Sequence, residues 1–206
     1  MDWSNVTGIL MALLIAIGLP LALKKRKKAG PLRRQELYEH LQQIGVEVYL
    51  VKKGSAKEKI GLGRGSGQKS EGIMELGDKN IDSINVISVA SQYGVHYFLD
   101  YLVKTPNIMG KRTLKKTRLA RKKSPPLWGK VVGIEWKGDK LLAQSLNLDY
   151  SLEDKLLQAD REALKESIRI FPEPKHGYVR IRTTYLLPSH QIFQAIGIIA
   201  RHVKSY

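Results

Sequence analysis

Three spacings of apolar side chains occur along the chain, and each predicts a different element. The first is unbroken. Val6 to Leu23 is a run of 18 residues without a charge, about 27 Å long as a helix and close to the hydrocarbon thickness of a bilayer. It predicts one transmembrane helix over 6–23, preceded by a short tail, 1–5. A cleaved leader needs basic residues before its apolar core, and the only charged side chain there is Asp2.

The second and third spacings, near 3.6 and 2, fill the rest. Leu32, Leu37, Leu41 and Ile44 recur at near-helical spacing behind Pro31, a short amphipathic helix closed by Gly45. Val46, Val48 and Leu50 alternate as a half-buried strand does. From 52 to 72 the pattern dissolves into Gly, Ser and Lys, which predicts a flexible loop, and Ile73 to Leu76 is a short strand. Ile84 to Val89 and Val95 to Val103, around Gln92-Tyr93-Gly94, predict a hairpin whose second strand is apolar on both faces apart from His96 and Asp100. Residues 106–126 are expected to be a mobile basic loop, since Leu114 and Leu119 are too few to make a helical face. Trp128 to Trp136 reads as a strand, Lys137-Gly138-Asp139 as a turn and Leu141 to Leu146 as the hairpin partner. Ser151 is placed to cap a helix running to about Glu166. Ile168 to Phe171 and Tyr178 to Leu187 are strands, the latter with Arg180 and Arg182 on the face opposite Val179 and Ile181. Ser189 caps a last helix, apolar around most of its girth, that packs in the core or on another chain. The order predicts one α+β domain over 31–206, a mixed or antiparallel sheet packed by about three helices.

Charge places the chain relative to the membrane. Lys24, Lys25, Arg26, Lys27 and Lys28 follow the apolar run at once, within a juxtamembrane collar 24–30, and Arg33 and Arg34 come shortly after. Basic flanks stay in the cytoplasm, so the expected arrangement is a single-pass cell-membrane protein with its N-terminus outside and its domain cytoplasmic. The absence of cysteine agrees with a reducing compartment. The net charge of +16 is concentrated in two places. Residues 24–34 hold seven basic side chains, and Lys111, Arg112, Lys115, Lys116, Arg118, Arg121, Lys122 and Lys123 form the second group. These 15 leave 20 basic residues against 19 acidic elsewhere, a nearly neutral body. Both groups are candidate contacts for an anionic lipid surface or another polyanion, where each basic side chain contributes about 1 kcal/mol.

Chemistry is harder to find. The stretch from Gly61 to Ser70 has Gln68 where a phosphate loop needs glycine before its Lys-Ser pair, and it lacks the third glycine of a dinucleotide fingerprint. Anion binding by Arg64 and Lys69 is the remaining functional reading of that loop. The five histidines show no metal-ligand spacing, so no catalytic, cofactor-binding or metal-binding residue is assigned, and no cofactor. The expected function is a membrane-anchored binding or assembly module whose partners are the anionic inner leaflet and a protein, or a second copy of itself. A membrane-tethered enzyme and a tethered nucleic-acid binder are the alternatives, the second weakened because no aromatic residues interleave 111–123 for base stacking.

Overall fold

A computed structural model describes residues 29–63, 67–109, 114–124, 130–158 and 168–205. The apolar run 6–23, the tail 1–5 and Lys24–Lys28 lie outside the described residues. Among the described residues no helix is long and apolar enough to cross a membrane.

The fold is α+β. Strands β1 (Val48–Leu50), β2 (Gln68–Leu76), β3 (Ser83–Ser91), β4 (Gly94–Lys104), β5 (Thr117–Ser124), β6 (Lys130–Lys137), β7 (Arg169–Glu173) and β8 (Tyr178–Thr184) form one sheet. Its order is β1-β2-β3-β4-β8-β7-β5-β6, and every neighbouring pair is antiparallel. Four described helices accompany it: α1 (29–43), α2 (Lys140–Asn147), α3 (Tyr150–Gln158) and α4 (His190–Lys204). Alternation sets the faces. Leu99, Tyr101 and Val103 of β4 join Val179 and Ile181 of β8 in a core that also takes Leu37 and Leu41 of α1, Leu142 and Leu146 of α2, and Ile196 and Ile199 of α4. The intervening positions form the opposite face. Segment 51–63 covers one end of it, packing Ile60 on Ile73 and Leu102.

Several elements differ from the sequence reading. Thr117–Ser124, expected within a loop over 106–126, is a strand because its periodicity is two: Thr117 and Leu119 are buried while Arg118 and Lys122 are exposed. Testing only for a helical face misses that pattern. Lys140–Asn147, expected as a strand, is a helix: Leu142, Ala143 and Leu146 point inward at a spacing of three to four, Leu141 stays 67% exposed, and Asp139 caps the first turn through Leu142 N. The helix expected to be capped by Ser151 starts after Asp149, whose Oδ1 accepts from Leu152 N; its proposed extension to Glu166 falls on 159–167, outside the described residues. The glycine-rich loop ends earlier than expected, at Gln68, where β2 begins. Ala29 and Gly30, placed in the juxtamembrane collar by the sequence, are helical. The β3–β4 hairpin and the Ser189 cap, accepting from Ile192 N, stand where the pattern puts them.

Candidate polyanion-binding face

The sheet face turned away from the helices carries one row of side chains that no single stretch of sequence contains. Register aligns Lys137 of β6 with Arg118 of β5, Arg118 with Arg169 of β7, Arg169 with Arg182 of β8, and Arg182 with Asp100 of β4. Four cations thus stand side by side on adjacent strands, spanning about 14 Å at roughly 4.8 Å per strand. Like charges directly opposite each other destabilise a sheet by up to about 1 kcal/mol per pair. This row has three such pairs in succession.

Asp100 anchors its inner end. The carboxylate is fully buried, and it accepts from Arg182 Nε at 2.6 Å, Arg182 Nη2 at 2.8 Å and Arg180 Nη1 at 2.8 Å. Arg180 also donates to Glu173 at 2.9 Å. Burial works against the charge of Arg180, but Asp100 and Glu173 outweigh it and raise its pKa above the ordinary value. Phe171, half-buried on β7, is surrounded by cations: Lys116 lies 4.7 Å and Arg180 4.8 Å from its ring centroid, and Arg182 5.7 Å. Arg182 also lies 5.3 Å from the ring of Phe98 on β4. The face therefore presents fixed positive charge with two aromatic rings beside it. Among the described residues, Asp100, Glu173 and Glu135 are carboxylates near the row, the last paired with Lys137 at 3.2 Å.

The sequence-derived basic residues divide into groups. Arg118 and Lys122 are exposed on this face, and Lys116 joins it over Phe171. Lys115 is exposed beside it, its backbone N–H donating to Asp139. Arg121 shares the helix side of β5 with Thr117 and Leu119. Lys24–Lys28, Lys111, Arg112 and the side chain of Lys123 lie outside the described residues. Arg33 and Arg34, expected to face lipid, are instead committed to the domain. The Arg33 guanidinium stacks 4.4 Å from the Tyr97 ring and 4.7 Å from Tyr185. Arg34 donates to the carbonyls of Val51 and Ile73, and burial lowers its pKa. Lys69, a candidate for the glycine loop, pairs with Glu71 at 3.2 Å. In that loop Gly61, at φ +74°, passes against Arg180, where a Cβ would meet the guanidinium.

Arg169, Arg180, Arg182, Lys137, Phe98 and Phe171 were not singled out from the sequence as site residues. The outward alternation of Arg180 and Arg182 was legible; their convergence with β5 was not, because it arises only where β7 pairs back onto β5 and carries β8 on its other side. Among the described residues no group of three His, Asp or Glu side chains is placed to hold a metal. Comparison with known protein families, curated proteins and solved structures finds no match.

Proposed function

We propose that this chain is a single-pass membrane protein whose cytoplasmic α+β domain binds the anionic inner leaflet through the cationic sheet face, as a binding and assembly module. The observation that carries this reading is the register row Lys137–Arg118–Arg169–Arg182. Asp100 and Glu135 offset the charge at the two ends of the row, on Arg182 and Lys137, and a polyanion on the open face would add to that along its length. The position of α1 supports the same reading. Gly30 packs against Glu71 and Arg33 over Tyr97 and Tyr185, so the chain joins the domain at the end of the sheet where Phe98, Thr184 and Lys122 also lie. An anchor directly before residue 29 then holds that end of the basic face near the headgroups.

The chain contains no cysteine, so Ala120→Cys places a unique fluorophore on the face. In full-length protein reconstituted into nanodiscs, the dye is expected to shift blue with phosphatidylserine-rich lipid, to remain unshifted with phosphatidylcholine alone, and to revert on adding salt or on Arg118→Glu with Arg169→Glu. Equal spectra in the two lipids would overturn the reading. Phe98 and Phe171 favour one second reading, single-stranded nucleic acid stacked on the sheet. That reading requires the dye to respond to an oligonucleotide in neutral nanodiscs, with a log-log salt slope of about −3 for four phosphate contacts.

A further inference from the structure

On the helix side of the sheet, α2, α3 and α4 bring together three residues that the polyanion reading does not use. Ser145 Oγ lies 2.5 Å from His202 Nδ1, and His202 Nε2 lies 2.8 Å from Asp149 Oδ2. We propose that Ser145, His202 and Asp149 are a nucleophile, base and carboxylate that hydrolyse an ester or thioester bearing an apolar acyl group.

The order of contacts assigns the roles. Asp149 Oδ1 is occupied, accepting from Leu152 N at 3.0 Å and Ser151 Oγ at 2.8 Å, which leaves Oδ2 for the imidazole. Burial alone would raise the carboxyl, but the hydrogen bonds from His202, Ser151 and Leu152 N outweigh it and hold it at about 2, ionised at neutral pH. A carboxylate facing Nε2 selects the tautomer with its proton there. The Nδ1 lone pair then faces the Ser145 hydroxyl, which donates to it. Relative to the usual triad the two ring nitrogens are exchanged, Nδ1 meeting the nucleophile and Nε2 the acid, while the order nucleophile, base, carboxylate is kept.

The surroundings fit a substrate. Ser145, Asp149 and His202 line an open cavity of about 700 Å³ together with Gln144, Leu141, Leu148 and Tyr150. The last three are 67%, 63% and 77% exposed, a cluster of large apolar side chains left in solvent around a polar relay. Ser151 lines the same cavity. Tyr150 N and Ser151 N are the first amides of α3, ahead of Leu152 N and Glu153 N, which both donate to Asp149 O at 3.1 Å. In the proposed reaction an oxyanion would take its hydrogen bonds from these two amides.

The reaction balances without any co-reactant but water. Ser145 Oγ attacks the acyl carbon as its proton passes to His202 Nδ1. The tetrahedral adduct collapses, the bond to the alcohol or thiol breaks, and that leaving group takes the proton from Nδ1. Water then attacks the acyl-Ser145 carbon, giving its proton to Nδ1. The carboxylic acid departs and Ser145 recovers its hydrogen.

The test uses the full-length protein in detergent micelles with an alkyl fluorophosphonate, read by intact mass and peptide mapping, and p-nitrophenyl butyrate as a turnover probe. One adduct on the peptide containing Ser145 is expected. Ser145→Ala abolishes it with an unchanged circular-dichroism melt, and His202→Gln slows labelling about 100-fold or more. Should His202→Gln fail to fold, the wild-type labelling rate still decides, since a histidine base makes it rise with pH through a single ionisation. Absence of an adduct, a rate independent of pH, or labelling that survives Ser145→Ala would reduce the three residues to a strut between helices. None of these outcomes bears on the sheet-face reading, whose probe and residues are separate.

Discussion

Asp100 is the residue on which the open face depends. In sequence it is a single acid inside an apolar strand; in the fold it is a buried carboxylate holding two guanidinium groups at 2.6 to 2.8 Å. Its desolvation is offset because every short contact to it is charge-assisted and Arg182 holds both of its oxygens. Removing one partner of such a pair leaves the other buried and uncompensated. Asp100→Asn is therefore expected to lower stability by about 3–5 kcal/mol, read as a fall in urea midpoint at unchanged slope. The same change adds a net positive charge to the row, so the variant should also respond to anionic nanodiscs at higher salt than the wild type. A midpoint within the error of the wild type would mean that water already screens the pair.

At the scale of elements, the corner between β6 and α2 sets the position of β5. Gly138 has φ +140°, and a Cβ there would stand 2.1 Å from Lys116 O and 2.6 Å from Thr117 Cα, both backbone atoms that cannot rotate away. Asp139 follows. Its side chain accepts from Leu142 N at 3.2 Å to cap α2 and from Lys115 N at 3.1 Å, while its own N–H donates to Thr117 Oγ1 at 3.0 Å. One turn thus ties the start of β5 to the start of a helix. Gly138→Ala is expected to cost about 1–3 kcal/mol through strain, or several degrees in melting temperature for a chain of this size. Because the displaced atoms precede Arg118, the variant should also lose part of the lipid-dependent spectral shift. A stable variant with full response would show that the corner relaxes elsewhere.

For the whole molecule, the antiparallel order concentrates stability at the centre. β3, β4 and β8 each have a partner on both sides, and their inward residues Ile84, Val86, Leu99, Tyr101 and Ile181 are at most 1% exposed. β1 has three residues and one neighbour, and β6 is the opposite edge. Hydrogen exchange on the full-length protein is therefore expected to be slowest at β4 and β8 and fastest at the two edge strands. Equal protection across all eight strands would contradict that gradient. The charge distribution belongs to this scale as well: +16 overall, yet nearly neutral once two segments are set aside, one running into α1 and the other running into and through β5.

What the chain determines locally is legible from its spacing alone. The α+β class, the β3–β4 hairpin, the Ser189 cap and the inward side of β8 follow from periods of 2 and 3.6 and from one hydroxyl at a helix start, because each involves residues a few positions apart. The strand at Thr117–Ser124 was readable by the same rule, but the basic residues at 118 and 121–123 fall on both of its sides and concealed it. What only the tertiary structure decides is which distant residues meet. Pairing β7 between β5 and β8 sets Arg118, Arg169 and Arg182 in one row, and packing α4 beside α2 and α3 brings His202 to Ser145 and Asp149. Those meetings arise from burying one face of a sheet against helices, a requirement shared by the whole chain and recorded in no single stretch of it.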